Sequence, residues 1–334
     1  MPDEIQKPKT PEELTLELTL RPAEWDEYVG QEKVKSNLRL IIDAARGRNE
    51  SCDHLLFYGQ AGLGKTTLAY LVGREMRVNV RSTSGPALEK AGDIAALLSN
   101  LEPHEILFID EAHRVNKLIE EILYPAMETR KLHLIVGKGP SARTFSLDLP
   151  PFTIIAATTR ANLLSAPLRS RFGATFRLDY YTQEDIEKII GRSAKLLRVA
   201  IDKPAVRKLA AAARFTPRVA NRLLKRARDY AQVNKKEGID ESVVMETLKM
   251  LEIDEVGLDE TDRELLRIII EKFKGGPVGV KSLAAALNEE SGTIEDVYEP
   301  FLMKLGLLNR TPGGRIATHA AYKHLGIQYK STLI

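Results

Sequence analysis

The stretch "GQAGLGKTTLAYLV", residues 59–72, decides how the first half of this chain is interpreted. It follows an apolar run, HLLFY at 54–58, and its own apolar residues recur at helical spacing after Lys65. Glycines therefore stand where a strand meets a helix, in the pattern Gly-x-x-x-x-Gly-Lys-Thr. Glycine tolerates backbone angles that a Cβ would oppose and lets a phosphate approach the backbone closely. The stretch predicts a P-loop, which binds the phosphates of a nucleotide.

The P-loop predicts individual contacts with ATP or ADP. Lys65 would reach the β- and γ-phosphates, the Thr66 hydroxyl would ligate Mg²⁺, and Thr67 would support the α-phosphate. The N-terminus of the following helix adds partial positive charge. The backbone N–H groups that would surround the β-phosphate belong to Gly62, Leu63, Gly64 and Lys65.

Residues 54–182 alternate short apolar runs with longer helical patterns. Continuous apolar strands separated by helices predict an α/β fold with a five-stranded parallel sheet covered by helices on both faces. The strand candidates are residues 54–58, 78–82, 106–110, 152–159 and 174–178. The segment LHLIVGKGPSARTFSLDL, 132–149, interrupts this alternation and predicts an inserted antiparallel β-hairpin with a Gly-Lys-Gly-Pro turn.

The rest of the chain is helical until a short C-terminal β pattern. Thr182 is a predicted helix N-cap, and Thr216 and Pro217 are the predicted cap and first residue of a later helix. DEVGLDETD, 254–262, indicates an acidic linker, and the Gly-Gly turn in GLLNRTPGGRIA predicts the wing of a winged helix. The predicted domains are 1–182 (large α/β domain), 183–256 (small helical domain) and 257–334 (winged helix).

Two carboxylates end the predicted strand ILFID, at Asp110 and Glu111. The carboxyl edge of an open α/β sheet is where ligands bind. Asp110 would hold Mg²⁺ through water, and Glu111 would polarise the attacking water. Thr159, at the end of the fourth strand, would contact the γ-phosphate or that water, whereas His113 is interpreted as structural. The set predicts ATP hydrolysis.

Three arginines are candidates for contact with the γ-phosphate. Arg169 and Arg171 follow a predicted helix, from which an arginine cannot easily reach its own subunit's phosphate. A neighbouring subunit could supply such a guanidinium in trans, as an arginine finger. Arg218 lies in the first turn of a helix, where the macrodipole disfavours a cation and a bound phosphate would offset that cost.

Composition excludes some classes of protein. Cys52 is the only cysteine, and no apolar run approaches the ~20 residues of a membrane span, so a cytoplasmic protein is expected. The net charge is only +3, so a nucleic-acid partner has to be inferred from local clusters of charge rather than from the whole chain. Residues 300–334 have no acidic side chain, which favours contact with DNA phosphates without base reading. Their cations are Lys304, Arg310, Arg315, Lys323 and Lys330.

A resemblance to a known family covers roughly residues 18–326. The pattern resembles that of an AAA+ ATPase: it has a P-loop, an Asp-Glu pair at the end of a strand, a threonine at the tip of another strand, and arginines further along the chain. The segments RPAEWDEYVGQEKVKSNL, LFIDEAHRV, PLRSRFG and TPRVANRLLKRARDYA, with the hairpin and the wing, resemble the RuvB family. That resemblance implies an ATP-dependent DNA translocase that drives Holliday-junction branch migration in recombination and repair. It also implies a homo-oligomeric, hexameric ring, a RuvA-like partner docked on hairpin 132–149, and a RuvC-like resolvase in a larger complex.

The resemblance also implies roles for individual residues. Asp110 and Glu111 match the Walker B pair, Thr159 matches sensor 1, and Arg171 matches the finger. Arg310 and Arg315 on the wing match contacts with the DNA backbone. The residues that would frame the adenine are Leu20, Arg21, Tyr28 and Val29. The later nucleotide contacts are Tyr181, Pro217 and Arg218.

Several positions depart from the family pattern. Gln60-Ala61 replaces Pro-Pro, Ala112 replaces Ile, and residues 129–131 replace an acidic-aromatic stretch. Phe215 stands where glycine is usual, and at positive φ it would cost on the order of 1 kcal/mol or more. Ser291 and Gly313 stand where arginines usually face DNA, so DNA binding should be weaker and less dependent on salt.

Other classes share part of this pattern. A clamp-loader or initiator-like AAA+ switch, in which ATP binding sets conformation, remains the alternative to a motor. A DEAH-type helicase needs a second RecA-like domain, for which 183–334 is too helical and too short. A winged-helix regulator would read bases, but the wing offers few side chains suited to that.

Overall fold

The structure is a computed structural model that describes residues 19–136 and 143–329. The chain divides into two compact units, with the division between Asp185 and Ile186. Within the described ranges, no helix is both long enough and apolar enough to cross a membrane.

Five parallel strands form the central sheet of the first unit, in the order β2-β3-β6-β1-β7. The strands of this unit are β1 (Leu55–Tyr58), β2 (Val80–Ser84), β3 (Ile106–Asp110), β4 (Lys131–Val136), β5 (Arg143–Asp148), β6 (Thr153–Thr158) and β7 (Ala174–Arg177). The central strand β6 is buried along its whole length, which explains its continuous apolar sequence. Leu56 pairs with Ala156, and Leu107 pairs with Ile154. The predicted parallel sheet is confirmed.

Helices pack against this sheet. They are α1 (Glu32–Arg48), α2 (Lys65–Met76), α3 (Ala91–Ser99), α4 (Lys117–Thr129) and α5 (Ala166–Arg169). One core cluster joins Ile109 of β3 and Ile154 of β6 to Leu123 and Ala126 of α4. Helix α4 and the strand that ends in Asp110 therefore share one hydrophobic core.

The second strand differs most from its predicted bounds, whereas the other four strands of the sheet begin and end within one residue of theirs. The apolar run at 78–82 predicted the second strand, but β2 begins at Val80. The N–H of Val78 donates to Gly73 O at the end of α2, so this residue completes the helix terminus. Asn79 O then accepts from Ile106 N, and pairing with β3 continues to Ser84.

The inserted hairpin is antiparallel, as predicted. Strands β4 and β5 pair along their whole lengths, from Lys131 opposite Asp148 to Val136 opposite Arg143. Phe145 and Leu147 on β5 are large, exposed apolar side chains. The Gly-Lys-Gly-Pro turn predicted between the strands lies outside the described residues.

The second unit contains the small helical domain and the winged helix. Its helices are α6 (Gln183–Leu196), which begins just before the division, α7 (Lys203–Ala211), α8 (Pro217–Val233), α9 (Glu241–Met250), α10 (Glu260–Glu271), α11 (Val280–Leu287), α12 (Ser291–Thr293), α13 (Glu299–Lys304) and α14 (His319–His324). The predicted caps hold: Thr182 Oγ1 accepts from Asp185 N, and Thr216 Oγ1 accepts from Val219 N with Pro217 first in α8. These contacts fix where α6 and α8 begin.

The acidic segment 254–262 is only partly a linker. Asp259 caps α10, and Asp259 and Asp262 accept from each other's backbone N–H. Residues from Glu260 onward are therefore helical. Acidic side chains in a first turn complement the helix dipole, which is why an apparent linker begins a helix here.

The wing is a two-stranded hairpin of β8 (Leu308–Thr311) and β9 (Gly314–Ala317). Arg310 pairs with Arg315 across the strands. Gly314 has φ +133°, and a Cβ there would lie 2.4 Å from Val278 O. The second glycine of the turn is therefore required by both backbone angle and space.

Candidate functional site

The P-loop joins β1 to α2 through glycines with positive φ. These angles are +145° at Gly59, +81° at Gly62 and +97° at Gly64. A Cβ would lie 2.4 Å from Leu178 O at Gly59, and 2.6 Å from Tyr28 Oη at Gly64. Larger residues are therefore excluded by backbone angle and by space, as the sequence argument expected.

Lys65 and Thr66 begin α2 at the carboxyl edge of the sheet. Lys65 is buried, and its Nζ donates to the carbonyls of Gly59 and Gln60 at 2.7 and 2.8 Å. The ammonium is thus held at the entrance of the loop. Thr66 Oγ1 donates to Asp110 Oδ2 at 3.1 Å, which brings P-loop and strand-end carboxylate together.

Asp110 and Glu111 lie at the end of β3. Asp110 Oδ1 accepts from Glu111 N at 2.9 Å. Glu111 has φ +47°, an unfavourable backbone for a residue with a Cβ, and its side chain is exposed. Its Oε2 lies 3.3 Å from a guanidinium nitrogen of Arg114, a neighbour that sequence reasoning did not single out. The pair is solvated, so Glu111 is accessible to water.

Two adjacent threonines end β6 in different environments. Thr159 is partly buried and follows the last residue of the strand. Thr158 is buried, and its Oγ1 lies 3.0 Å from His113 Nδ1 and accepts from Arg160 N. Thr158 therefore ties the turn after Glu111 to β6. The sequence did not indicate this contact, although it agrees with a structural role for His113.

Two tyrosines among the predicted nucleotide contacts, Tyr28 and Tyr181, lie beside the P-loop. Tyr181 Oη lies 3.1 Å from Tyr28 Oη and 3.2 Å from Leu63 O. Tyr28 Oη donates to Leu63 O at 3.3 Å. Burial raises the pKa of Tyr28 well above its usual range and that of Tyr181 to about 12, so both hydroxyls stay protonated. Leu20 is buried, and Arg21 and Val29 are partly buried.

Arg171 is held within its own subunit by residues that the sequence did not indicate. Its guanidinium lies 4.6 Å from the centre of the Tyr124 ring and 3.1 Å from Glu128 Oε1. Nη1 donates to Pro167 O at 2.7 Å. Nε is buried and has no hydrogen-bond partner within the described part of the chain. A buried N–H without a partner is unusual and calls for an explanation. Arg169 is exposed.

Arg218 lies in the second unit, at the second residue of α8. Its side chain is exposed, and it follows Thr216 and Pro217 directly. No hydrogen bond or ion pair of its side chain occurs among residues 19–136 and 143–329. An exposed cation in a first helical turn can accept an anion.

The two wing arginines have different surroundings. Arg310 is exposed, and its nearest carboxylate oxygen is Glu295 Oε1 at 3.4 Å. Arg315 is buried; Nε donates to Glu299 Oε1 at 2.6 Å, and Nη2 donates to Glu295 Oε1 at 2.9 Å. Arg315 therefore differs from the exposed phosphate contact that was expected. Its contact with DNA remains a prediction, and the structure shows an ion pair that would have to open first.

A P-loop sheet of this strand order, with a carboxylate pair beside the loop, a helical lid and a winged helix, defines an AAA+ ATPase with a nucleic-acid-binding module. Family models are more specific. "Holliday junction DNA helicase RuvB P-loop domain" matches residues 20–178, "RuvB AAA lid domain" matches 181–254, and "RuvB C-terminal winged helix domain" matches 255–326. The chain belongs to the RuvB family.

Solved structures agree with this assignment. The chain is similar to the RuvB Holliday junction branch migration motor of Thermotoga maritima, with a TM-score of 0.86 and 48% sequence identity. That match covers 93% of this chain and 100% of the other. A single-substitution variant of the same protein matches with a TM-score of 0.87 and 47% identity, over 93% of this chain and 99% of the other.

Proposed function

We propose that this chain is one subunit of an ATP-driven hexameric ring that moves the duplex arms of a Holliday junction. A RuvA-like protein would dock on hairpin 132–149, and a RuvC-like resolvase would join a larger complex. The observation that carries the proposal is the contact between Thr66 and Asp110 in a chain of the RuvB family. It joins the two halves of a site for hydrolysis. The functional division would be 1–182, 183–256 and 257–334.

The chemistry follows from the residues at the loop. Backbone N–H groups of 62–65 and the Lys65 ammonium would neutralise the phosphates, and Thr67 would support the α-phosphate. Glu111 would orient the attacking water and take its proton, while Thr159 would contact the γ-phosphate. Leu20, Arg21, Tyr28 and Val29 would frame the adenine. The later nucleotide contacts would come from Tyr181, Pro217 and Arg218.

A magnesium ion fits the donors beside the loop. Thr66 Oγ1 and Asp110 Oδ2 are adjacent oxygen atoms, and Mg²⁺ prefers oxygen ligands. A hydroxyl, a carboxylate and the substrate phosphates would together hold the ion. Bound Mg²⁺ would neutralise charge on the β- and γ-phosphates.

Arg171 would act on the nucleotide of the neighbouring subunit. Its buried Nε has no hydrogen-bond partner among residues 19–136 and 143–329, and its guanidinium is paired with Glu128 of its own subunit. Reaching a neighbour's phosphate would exchange this ion pair for a stronger, doubly charged partner. Arg310 would contact the DNA backbone from the wing, and Arg315 would support it.

The test is branch migration of a labelled four-way junction, with and without a RuvA-like partner. Wild-type chain should exchange strands only with ATP, and Glu111→Gln should bind ATP normally but hydrolyse it at least about 100-fold more slowly. ATP-dependent DNA binding without exchange would contradict the motor and support the clamp-loader-like switch. Arg171→Ala rings should lose hydrolysis and regain part of it when mixed with Lys65→Ala subunits; no recovery would contradict a site completed in trans.

A further inference from the structure

Two consecutive residues with left-handed backbone precede α8. Arg214 and Phe215 have φ angles of +53° and +54°. Residues with a Cβ adopt this region at a free-energy cost that glycine avoids. Two such residues in sequence persist only where surrounding contacts hold them. Among the described residues, the winged helix contributes an ion pair and aromatic contacts to these two side chains.

Arg214 binds the start of α10, the first helix of the winged helix. Its Nη1 lies 3.0 Å from Asp262 Oδ2 and donates to Asp259 Oδ2 at 3.2 Å, while Nη2 donates to Asp262 Oδ1 at 3.2 Å. Asp262 has no exposed surface. The guanidinium carbon also lies 4.2 Å from the centre of the Phe301 ring. Because the planar guanidinium binds the buried carboxylate through two nitrogen atoms, Arg214 and Asp262 cannot easily shift relative to each other.

Phe215 adds an apolar contact on the same side. Its ring centre is 6.3 Å from that of Phe301, at 60° between planes, and it packs against the winged-helix core. Lys304 Nζ lies 5.6 Å from the Phe215 ring centre. Phe301 belongs to α13, the helix that also supplies Glu299 to the wing arginine Arg315. The turn before α8 therefore contacts the helix that supports the wing.

The same turn leads directly into Arg218. Thr216 N donates to Ala213 O, and Thr216 Oγ1 accepts from Val219 N, so residues 213–219 form one closely bonded segment. A glycine at 215 would relieve the backbone but would remove the ring from Phe301. The chain thus keeps an unfavourable backbone together with its contacts to the winged helix.

We propose that Arg214 and Phe215 form a latch between the lid and the winged helix, which makes DNA binding at the wing change the position of Arg218 at the nucleotide. Both are positioning residues, because neither touches the nucleotide. The proposal rests on the proposed function, in which Arg218 contacts ATP and the wing contacts DNA. It deepens that function by identifying how the two are connected.

The test compares ATP hydrolysis by the full-length ring with and without four-way junction DNA. In Arg214→Met and Phe215→Gly, we expect the KM for ATP without DNA to stay within about twofold of wild type, while DNA stimulation of kcat falls about fivefold or more. Arg214→Lys should retain intermediate stimulation, because lysine keeps the charge but loses the fork. Rescue by the conservative variant distinguishes positioning from a general loss of structure.

Matched controls are available in the same lid. Arg198 and Lys235 are exposed and have φ of +53° and +51°. Arg198→Met therefore repeats the loss of a guanidinium, and Lys235→Gly repeats the relief of a left-handed backbone. Both controls should keep wild-type stimulation. If Arg214→Met fails to fold, Phe215→Gly carries the test, because glycine relieves the backbone there.

Three results would overturn the latch. One is wild-type stimulation in folded Phe215→Gly, and another is an equal loss in the Arg198→Met and Lys235→Gly controls. The third is a wild-type ring that DNA does not stimulate at all, which would overturn the proposed motor as well. The first two results leave the motor intact, so the two failures can be distinguished.

Discussion

The P-loop and the latch are both turns with left-handed backbone that lead into a helix carrying a predicted phosphate-binding cation. In the P-loop these positions are glycines, Gly62 and Gly64, before Lys65. In the latch they are Arg214 and Phe215, before Arg218. In the first turn a Cβ would meet neighbouring protein atoms, Leu178 O at Gly59 and Tyr28 Oη at Gly64, so glycine is required. In the second turn the side chains themselves supply the contacts, and the backbone strain is offset by packing and an ion pair.

Replacing Gly64 by alanine should have the largest effect. Its φ is +97°, and a Cβ would lie 2.6 Å from Tyr28 Oη, so the loop must shift its N–H groups. Strain and misplaced donors together should lower ATP affinity about a thousandfold. Nucleotide binding by calorimetry checks this. Gly47→Ala is the matched control, because nothing lies within 4 Å of that Cβ. Near-normal affinity in Gly64→Ala would show that the loop does not need glycine there.

The next effect concerns the wing, where one arginine is buried and the other exposed. Arg315→Met should destabilise the second unit by about 3 kcal/mol, because Glu299 is left buried without its partner. Arg310→Met should leave stability within about 0.5 kcal/mol, since Arg310 is exposed and its contact with the buried Glu299 is long, at 3.9 Å. It should instead reduce the salt dependence of DNA binding by about one phosphate contact. Chemical denaturation measures the stability of each variant, and salt titrations of DNA binding measure the loss of a phosphate contact. Equal stability of Arg315→Met and Arg310→Met would contradict a structural role for Arg315.

How much of this could be predicted from the sequence depends on the range of the interactions. The P-loop, Asp110 and Glu111, the five strands and both hairpins follow from local patterns, and the structure has them. The partners of Arg315 and Arg214 could not be predicted, because no spacing rule links Arg214 to Asp262 or Arg315 to Glu299. The start of β2 lies at Val80 because Val78 N donates to Gly73 O at the end of α2, a local bond that the apolar pattern did not indicate. Aromatic residues disfavour left-handed backbone, and contacts of Phe215 with the winged-helix core offset that cost.

The latch also predicts a dependence on pH. Burial raises the pKa of Asp262 from 3.8 to about 7, while Arg214 opposes that rise and Asp259 adds to it. A carboxyl with a raised pKa contributes stability that is full below its unfolded pKa and is lost as pH rises through the folded value. Without Arg214 the pKa rises further, so Arg214→Met should lose roughly 1 kcal/mol more stability at pH 8 than at pH 5. Thermal melting at both pH values checks this, with Arg198→Met as control. An equal loss at both pH values would mean that Asp262 stays neutral or ionised throughout.

The smallest predicted effect concerns the two consecutive glycines in the turn of the wing. Gly314 has left-handed backbone and no room for a Cβ, whereas a Cβ at Gly313 would make ordinary contacts with the Pro277 ring at 3.5 Å and Thr311 Oγ1 at 3.9 Å. Gly313→Arg should therefore fold normally and add a cation beside Arg310. One extra phosphate contact should strengthen DNA binding a few-fold and steepen its salt dependence by about 0.9 in log–log slope. Gly314→Arg should instead destabilise the wing, since its side chain meets the backbone of Val278. If Gly313→Arg leaves the salt slope unchanged, this turn does not face DNA, and the wing would have to bind through another surface.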